Sequence, residues 1–254
     1  MNGALTEPQI RRYARHIVLP EVGGVGQARL LNARVLVVGA GGLGSPLLLY
    51  LAAAGVGVLG IVDDDVVDAS NLQRQVVHDL AQVGAAKVES ARSRLAALAA
   101  DSRIETHRLR LDAGNADRLV AGYDIVADGS DSFATRAAVQ DACLLQRRTL
   151  VSASVQGIDG QLSTFKPHLG APHPCLRCVF PEEPMARALP SCAQGGVLGP
   201  AAGVVGCLQA VEVVKELLGD APSLSGTLLL YDAFAASLDR LAVARRVDCI
   251  AGHG

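Results

Sequence analysis

The chain has 254 residues and a formal net charge of −2; half its residues are hydrophobic, only 3% are aromatic, and tryptophan is absent. That length suits a single domain with a sizeable core, and the near-neutral charge argues against a general nucleic-acid binder. So few aromatics leave Ala, Val, Leu and Ile to build the core, as in sheets covered on both faces.

The N-terminal "MNGALTEPQIRRYARH" lacks the apolar stretch of a signal peptide. Thr6, Glu7 and Pro8 predict a capped, short amphipathic helix, and "VGQARLLN" a second. Residues 1–33 are thus read as a helical arm. From Arg34 the chain runs as a buried strand, a glycine turn, an apolar helix and a second buried strand ending in Asp63, Asp64 and Asp65. That is a βαβ unit. "GAAKVESARSRLAALAA" predicts a helix and "RIETHRL" a strand. "YDIVADGSD" predicts another strand, followed by a helix over "FATRAAVQDACLLQ". This alternation, over residues 34–150, specifies a doubly wound, Rossmann-like parallel sheet.

Residues 151–254 change character. "TLVSASVQGIDGQLSTFKP" predicts an antiparallel hairpin around Gly157 to Gly160. A Pro-rich, irregular segment follows, then a helix over "AAGVVGCLQAVEVVKELL" closed by a C-cap at Gly219. "GTLLLYDAF" and "SLDRLAVARR" predict two closing strands. With no long linker, residues 1–254 are read as one domain, its parallel sheet continued by antiparallel strands. No apolar run is long and unbroken enough to span a bilayer. A cytoplasmic protein without a membrane partner is expected, so the six cysteines read as metal ligands, a nucleophile or core filler, not disulfides.

Gly39-Ala40-Gly41-Gly42-Leu43-Gly44 forms G-x-G-x-x-G between strand and helix. Amides at a helix N-terminus favour a phosphate there; a bare packing turn is the alternative. Asp63 is placed to accept from ribose hydroxyls, or is a solvated strand end. The next stretch, Asn71-Leu72-Gln73-Arg74-Gln75, has no evident use in a nicotinamide dehydrogenase. It suits a triphosphate, which needs several fixed donors, and arginine contacts two oxygens at once. Lys87 on the next helix adds a second cation, unless it is merely a solvated lysine. Asp131 follows the fourth strand; a carboxylate facing a triphosphate implies a Mg²⁺ between them. Asp128 could take that role instead, or cap the helix that follows.

Together, "RRYARHIVLPEVG", "VLVVGAGGLGSP", "IVDDDVVDASNLQRQVVH", "DGSDSFATR", "PCLRCVFPE" and "PSCAQGGVLGP" resemble the HesA/MoeB/ThiF family. These are bacterial adenylyltransferases of molybdopterin and thiamine biosynthesis, related to ubiquitin-activating enzymes. The resemblance runs from about Arg12 to Cys249. It implies ATP-dependent adenylation of the C-terminal glycine of a small ubiquitin-like sulfur-carrier protein ending in Gly-Gly, with a separate sulfur donor. It puts Gly41 and Gly42 under the nucleotide and Asp63 on the ribose. Ser70, Asn71, Leu72, Gln73, Arg74 and Lys87 then hold phosphates, Asp131 binds Mg²⁺, and Ser132 stands beside it where the family often has asparagine. Arg15 matches an arginine that reaches the other subunit's ATP, implying a homodimer. A related enzyme activating a transfer RNA or a peptide is the alternative, and a nicotinamide oxidoreductase a more distant one.

Cys175-x-x-Cys178 has the spacing of half a structural zinc site. The family completes it with a second C-x-x-C, but here Cys249 is followed by Gly252 and His253. Cys175, Cys178, Cys249 and His253 are therefore the expected zinc ligands, with His173 a weaker candidate and an empty, degenerate site the alternative. Cys192, in a Pro- and Gly-bounded loop, is a candidate nucleophile; some family members link the carrier through it. Cys143 and Cys207 read as buried filler. His16, His78, His107 and His168 read as structural or surface residues.

Overall fold

The computed structural model describes residues 5–181, 196–249 and 251. Cys192 and His253 lie outside the described residues. Helix α1 (Glu7–Arg12) opens with the expected cap, a reciprocal box in which the Thr6 side chain accepts from Gln9 N–H. After Tyr13 the chain resumes as a separate short helix α2 (Ala14–Ile17), and α3 spans Gly23–Asn32.

The β-branched run Arg34–Val38 forms β1, and β2 (Val58–Val62) pairs parallel to it. Between them lies α4 (Gly44–Ala53), whose buried Leu47, Leu48 and Leu51 pack into the core. The remaining elements are α5 (Lys87–Leu98), β3 (Arg103–His107), α6 (Ala116–Val120), β4 (Ile125–Asp128) and α7 (Phe133–Leu145), then the hairpin β5 (Thr149–Gln156) and β6 (Asp159–Phe165). The chain continues with α8 (Leu176–Val179), a long α9 (Gly199–Leu218), β7 (Thr227–Asp232) and β8 (Ser237–Ala242). Helix α5 starts at Lys87, not at Gly84, because Val67 N–H donates to Ala85 and Gly84 N–H to Val67, tying that stretch into an extended bridge.

One eight-stranded sheet results, in the order β3-β2-β1-β4-β5-β6-β7-β8. Its first five strands are parallel and the rest antiparallel. Two apolar clusters cover its faces, one under α4, α5 and α9, the other under α6 and α7. The order reverses between β1 and β4, so chain leaves the sheet in opposite directions there and opens a crevice at the strands' carboxyl ends. Register fixes what lines it. Val38 pairs with Val62 on one side and Asp128 on the other, bringing Gly39, Asp63 and Gly129 together at the edge. No described helix is long and apolar enough to cross a membrane.

Candidate active site and three-cysteine cluster

A cavity of about 370 Å³ opens at that crevice, within the roughly 300–1,000 Å³ usual for small-molecule sites. Its wall brings together Gly41, Gly42, Asp63, Arg74, Lys87, Asp131 and Ser132. These come from five segments of chain, and all were expected from the sequence.

The glycine turn is shaped by close approach. A Cβ on Gly44 would sit 1.9 Å from the Gly39 carbonyl oxygen, so no other residue lets the turn fold back onto α4. Asp63 holds the turn from the side: its Oδ2 accepts from Ala40 N–H at 2.8 Å and its Oδ1 from Asp65 N–H at 2.9 Å. Both oxygens keep a further lone pair for a ligand hydroxyl.

The segment Ser70–Gln75 is a one-turn helix continued by a tight turn, and a directional hydrogen-bond chain runs through it. Asp68 Oδ1 accepts from both Ser70 N–H (2.8 Å) and Ser70 Oγ–H (2.5 Å). Ser70 Oγ accepts from Asn71 Nδ2 at 3.1 Å, and Asn71 Oδ1 accepts from Gln75 Nε2 at 2.8 Å. The two Ser70 donors hold the Asp68 carboxyl below its ordinary range. Asn71 and Ser70 thus shape the segment from within, and Arg74 and Gln75 are the members that reach the cavity. Leu72 and Gln73 lie outside its wall. Gln73 braces the segment instead, because a Cβ on Gly199, the first residue of α9, would meet the Gln73 carbonyl oxygen at 2.3 Å.

Lys87 is 5% exposed, and its ammonium lies 2.8 Å from Asp65 Oδ2. The reading of a solvated helix lysine is therefore wrong. The position of Lys87 at the start of α5, where the macrodipole disfavours a cation, is offset by the Asp65 carboxylate. Asp128 does not line the cavity. It is fully buried at the end of β4, accepts from Ser130 N–H at 3.0 Å, and burial pushes its carboxyl above the ordinary range. Nor does it cap α7; Ser132 does, its side chain accepting from Thr135 N–H. Arg15 lies on α2, away from the cavity wall of its own chain.

Several wall residues escaped the sequence reading, among them Arg110, Ser130, Thr135 and Arg136. Arg136 left a trace. It stands in the first turn of α7, where a cation is electrostatically unfavourable, and its guanidinium donates to the Ser130 carbonyl. His78, read as structural or surface, is 7% exposed and touches the glycine turn from behind through Ala40.

Some 74 residues apart in sequence, Cys175 and Cys249 meet with Sγ atoms 3.5 Å apart, and Cys178 Sγ lies 3.7 Å from Cys175. Four sulfurs around a zinc at about 2.3 Å would be separated by about 3.8 Å, so the three described cysteines fit a tetrahedral metal and can hold one. Burial pushes the Cys175 thiol up. At Cys178 burial acts in the same direction but is outweighed, with Arg246 N–H donating to its Sγ at 3.4 Å, so that thiol falls below its ordinary value. His173 is not among these ligands: its Nδ1 is 2.9 Å from Ser225 Oγ. Cys143 is buried as expected, while Cys207 is half-buried.

A parallel sheet with a glycine turn, a carboxylate at the end of its second strand and four cations, Arg74, Lys87, Arg110 and Arg136, around one crevice has the layout of a nucleotide-binding α/β protein. Residues 13–251 match the model of the ThiF family, and the chain belongs to that family. It is 53% identical to the adenylyltransferase and sulfurtransferase MOCS3 of Bos taurus over 249 residues, covering 98% of this chain and 54% of that protein. It therefore spans about half the length of these MOCS3 relatives. The SAMP-activating enzyme E1 of Haloferax volcanii is 46% identical over 255 residues, covering 100% of this chain and 93% of that protein. Among solved structures, E. coli MccB with ATP aligns at a TM-score of 0.82 and 20% identity, over 94% of this chain and 74% of that one, a likeness of fold.

Proposed function

We propose that this chain is an ATP-dependent adenylyltransferase acting on the C-terminal glycine of a small ubiquitin-like sulfur-carrier protein. The observation that carries this reading is the convergence of Arg74 and Lys87 with the glycine turn and Asp131 in one cavity. The enzyme names of the 46–53% identical relatives support it. A carboxylate oxygen of the carrier attacks the α-phosphorus of ATP. The bond from that phosphorus to the bridging oxygen breaks, and pyrophosphate leaves with the electron pair. Both reactants are anions, so the protein's task is to hold them in line and to neutralise charge.

In this reading Gly41 and Gly42 back the phosphates, Asp63 accepts from the ribose, and Arg74 and Lys87 bind phosphate oxygens, with Ser70, Asn71, Leu72 and Gln73 forming the framework that aims Arg74. Asp131, beside Ser132, holds Mg²⁺, which when bound offsets phosphate charge. Arg15 serves the other subunit's nucleotide in a homodimer. Cys175, Cys178 and Cys249 hold a structural zinc with His253 as fourth ligand, and Cys192 is the candidate nucleophile toward the activated carrier. The protein is cytoplasmic, and a separate sulfur donor completes the pathway. ATP–pyrophosphate exchange, with Mg²⁺ and a panel of carriers ending in Gly-Gly, tests the reading. Exchange dependent on a carrier and on its last glycine is expected; ATP binding without exchange on any carrier would contradict it.

A further inference from the structure

His78 closes a polar network on the side of the glycine turn away from the cavity. Its Nε2 lies 2.9 Å from the Ala40 carbonyl oxygen and its Nδ1 2.7 Å from Ser90 Oγ. Ser90 Oγ in turn lies 2.6 Å from Gln82 Oε1, placed to donate to it. A carbonyl can only accept, so Nε2 carries a proton and donates to Ala40. In the neutral ring Nδ1 is then the unprotonated nitrogen; the single Ser90 hydroxyl proton is shared between it and Gln82 Oε1, and the Nε2–H donated to Ala40 is the same in either case. Burial, which disfavours a charged imidazole, keeps the ring in this form.

The consequence lies in the peptide that His78 holds. Ala40 N–H is already pinned by Asp63, and its carbonyl is pinned by His78. Across a trans peptide the carbonyl of one residue and the N–H of the next point in opposite directions. Ala40 is fully buried and neither it nor His78 lines the cavity, whereas Gly41 does. Drawing the Ala40 carbonyl toward His78 therefore turns Gly41 N–H toward the cavity. Among the described residues that N–H has no acceptor. Ser90 belongs to α5, the helix that begins with Lys87, so the same network sets the glycine turn in register with Lys87.

We infer that His78 is a positioning residue for the nucleotide: as the Nε2–H tautomer it orients the Ala40–Gly41 peptide so that Gly41 N–H donates to a phosphate of ATP. This rests on the adenylation reading. The test is calorimetric titration of ATP with Mg²⁺ into wild type, His78→Phe and His78→Gln, together with the amide resonance of Gly41 in ¹⁵N-labelled wild type. Phenylalanine keeps the ring shape and loses both hydrogen bonds; glutamine restores a donor that reaches toward Ala40. We expect affinity to fall at least about tenfold in His78→Phe, to return to within a few-fold in His78→Gln, and the Gly41 amide to shift on adding ATP to wild type. Folded His78→Phe binding ATP like wild type would overturn the inference. Were His78→Phe not to fold, a Gly41 amide that ignores saturating ATP in wild type would overturn it equally. If wild type bound no ATP, the adenylation reading would fall first and this inference with it.

Discussion

Asparagine at position 63 separates the charge of that side chain from its shape. The two carboxylate oxygens accept from Ala40 N–H at 2.8 Å and Asp65 N–H at 2.9 Å, pinning the glycine turn on one side and the loop leading to Lys87 on the other. An amide has only one acceptor oxygen, so whichever way it turns, its NH₂ faces a backbone donor. Ala40 is fully buried while Asp65 is exposed. The oxygen will stay on Ala40, and the Asp65 N–H will turn to water. A hydrogen bond to a charged group contributes about 1.5–3 kcal/mol, and an unmade buried one costs about 1–3 kcal/mol. With water relieving the orphaned donor, Asp63→Asn should lower unfolding free energy by about 2 kcal/mol. Asp63→Ala, which frees both donors, should lower it by about 3–5 kcal/mol. If Asp63 accepts from the ribose as proposed, the nucleotide loses a charged acceptor as well, and ATP affinity should fall about tenfold or more in Asp63→Asn. Urea unfolding followed by circular dichroism and calorimetric ATP titration read the two effects. Stability within about 0.5 kcal/mol of wild type, with unchanged ATP affinity, would refute the reasoning.

Arg74→Ala and Lys87→Ala should each abolish pyrophosphate exchange and leave the fold intact, because Arg74 is at the cavity wall and the partner stranded by loss of Lys87, Asp65, is largely solvated; wild-type-like exchange in either would remove that residue from the mechanism. Zinc in purified wild type should approach one per chain and drop sharply in Cys175→Ser, measured by elemental mass spectrometry; wild type without zinc would end the metal reading. Burial lowers the imidazole values of His78, His107 and His168. The unfolded chain, with histidines near 6.5, therefore binds more protons below that pH, and stability present above about 6.5 is lost as pH falls toward the lowered folded values. Urea midpoints should decline from about pH 7 to 5.5, and less steeply in His78→Phe, where Lys87, Asp63 and Asp79 are the charged groups facing the ring; equal slopes would exclude His78 as a contributor.

The sheet was legible because its signals are local. Runs such as Arg34–Val38 and Thr227–Asp232, the hairpin at Gly157–Gly160 and the left-handed cap at Gly219 each declare an element within a few residues. The cavity was legible where its residues belong to continuous motifs, as with the glycine turn and Arg74. What stayed hidden depends on approach between distant segments. Ser90 meets His78 only because α5 packs back on the turn, and Arg136 becomes a wall residue only where the start of α7 folds back on the Ser130 carbonyl. Asp128 and Asp131 were indistinguishable as strand-end carboxylates. The register decides between them, since Asp128 is the last paired residue of β4 and is buried there, whereas Asp131 lies beyond the sheet at the mouth of the crevice.

The most direct measurement of the central claim is the intact mass of a Gly-Gly carrier after incubation with the purified protein, ATP and Mg²⁺. A carrier gaining one AMP at its terminal carboxylate, and none once its last glycine is deleted, is the predicted result. An unmodified carrier, with ATP bound but no pyrophosphate released, would contradict the account.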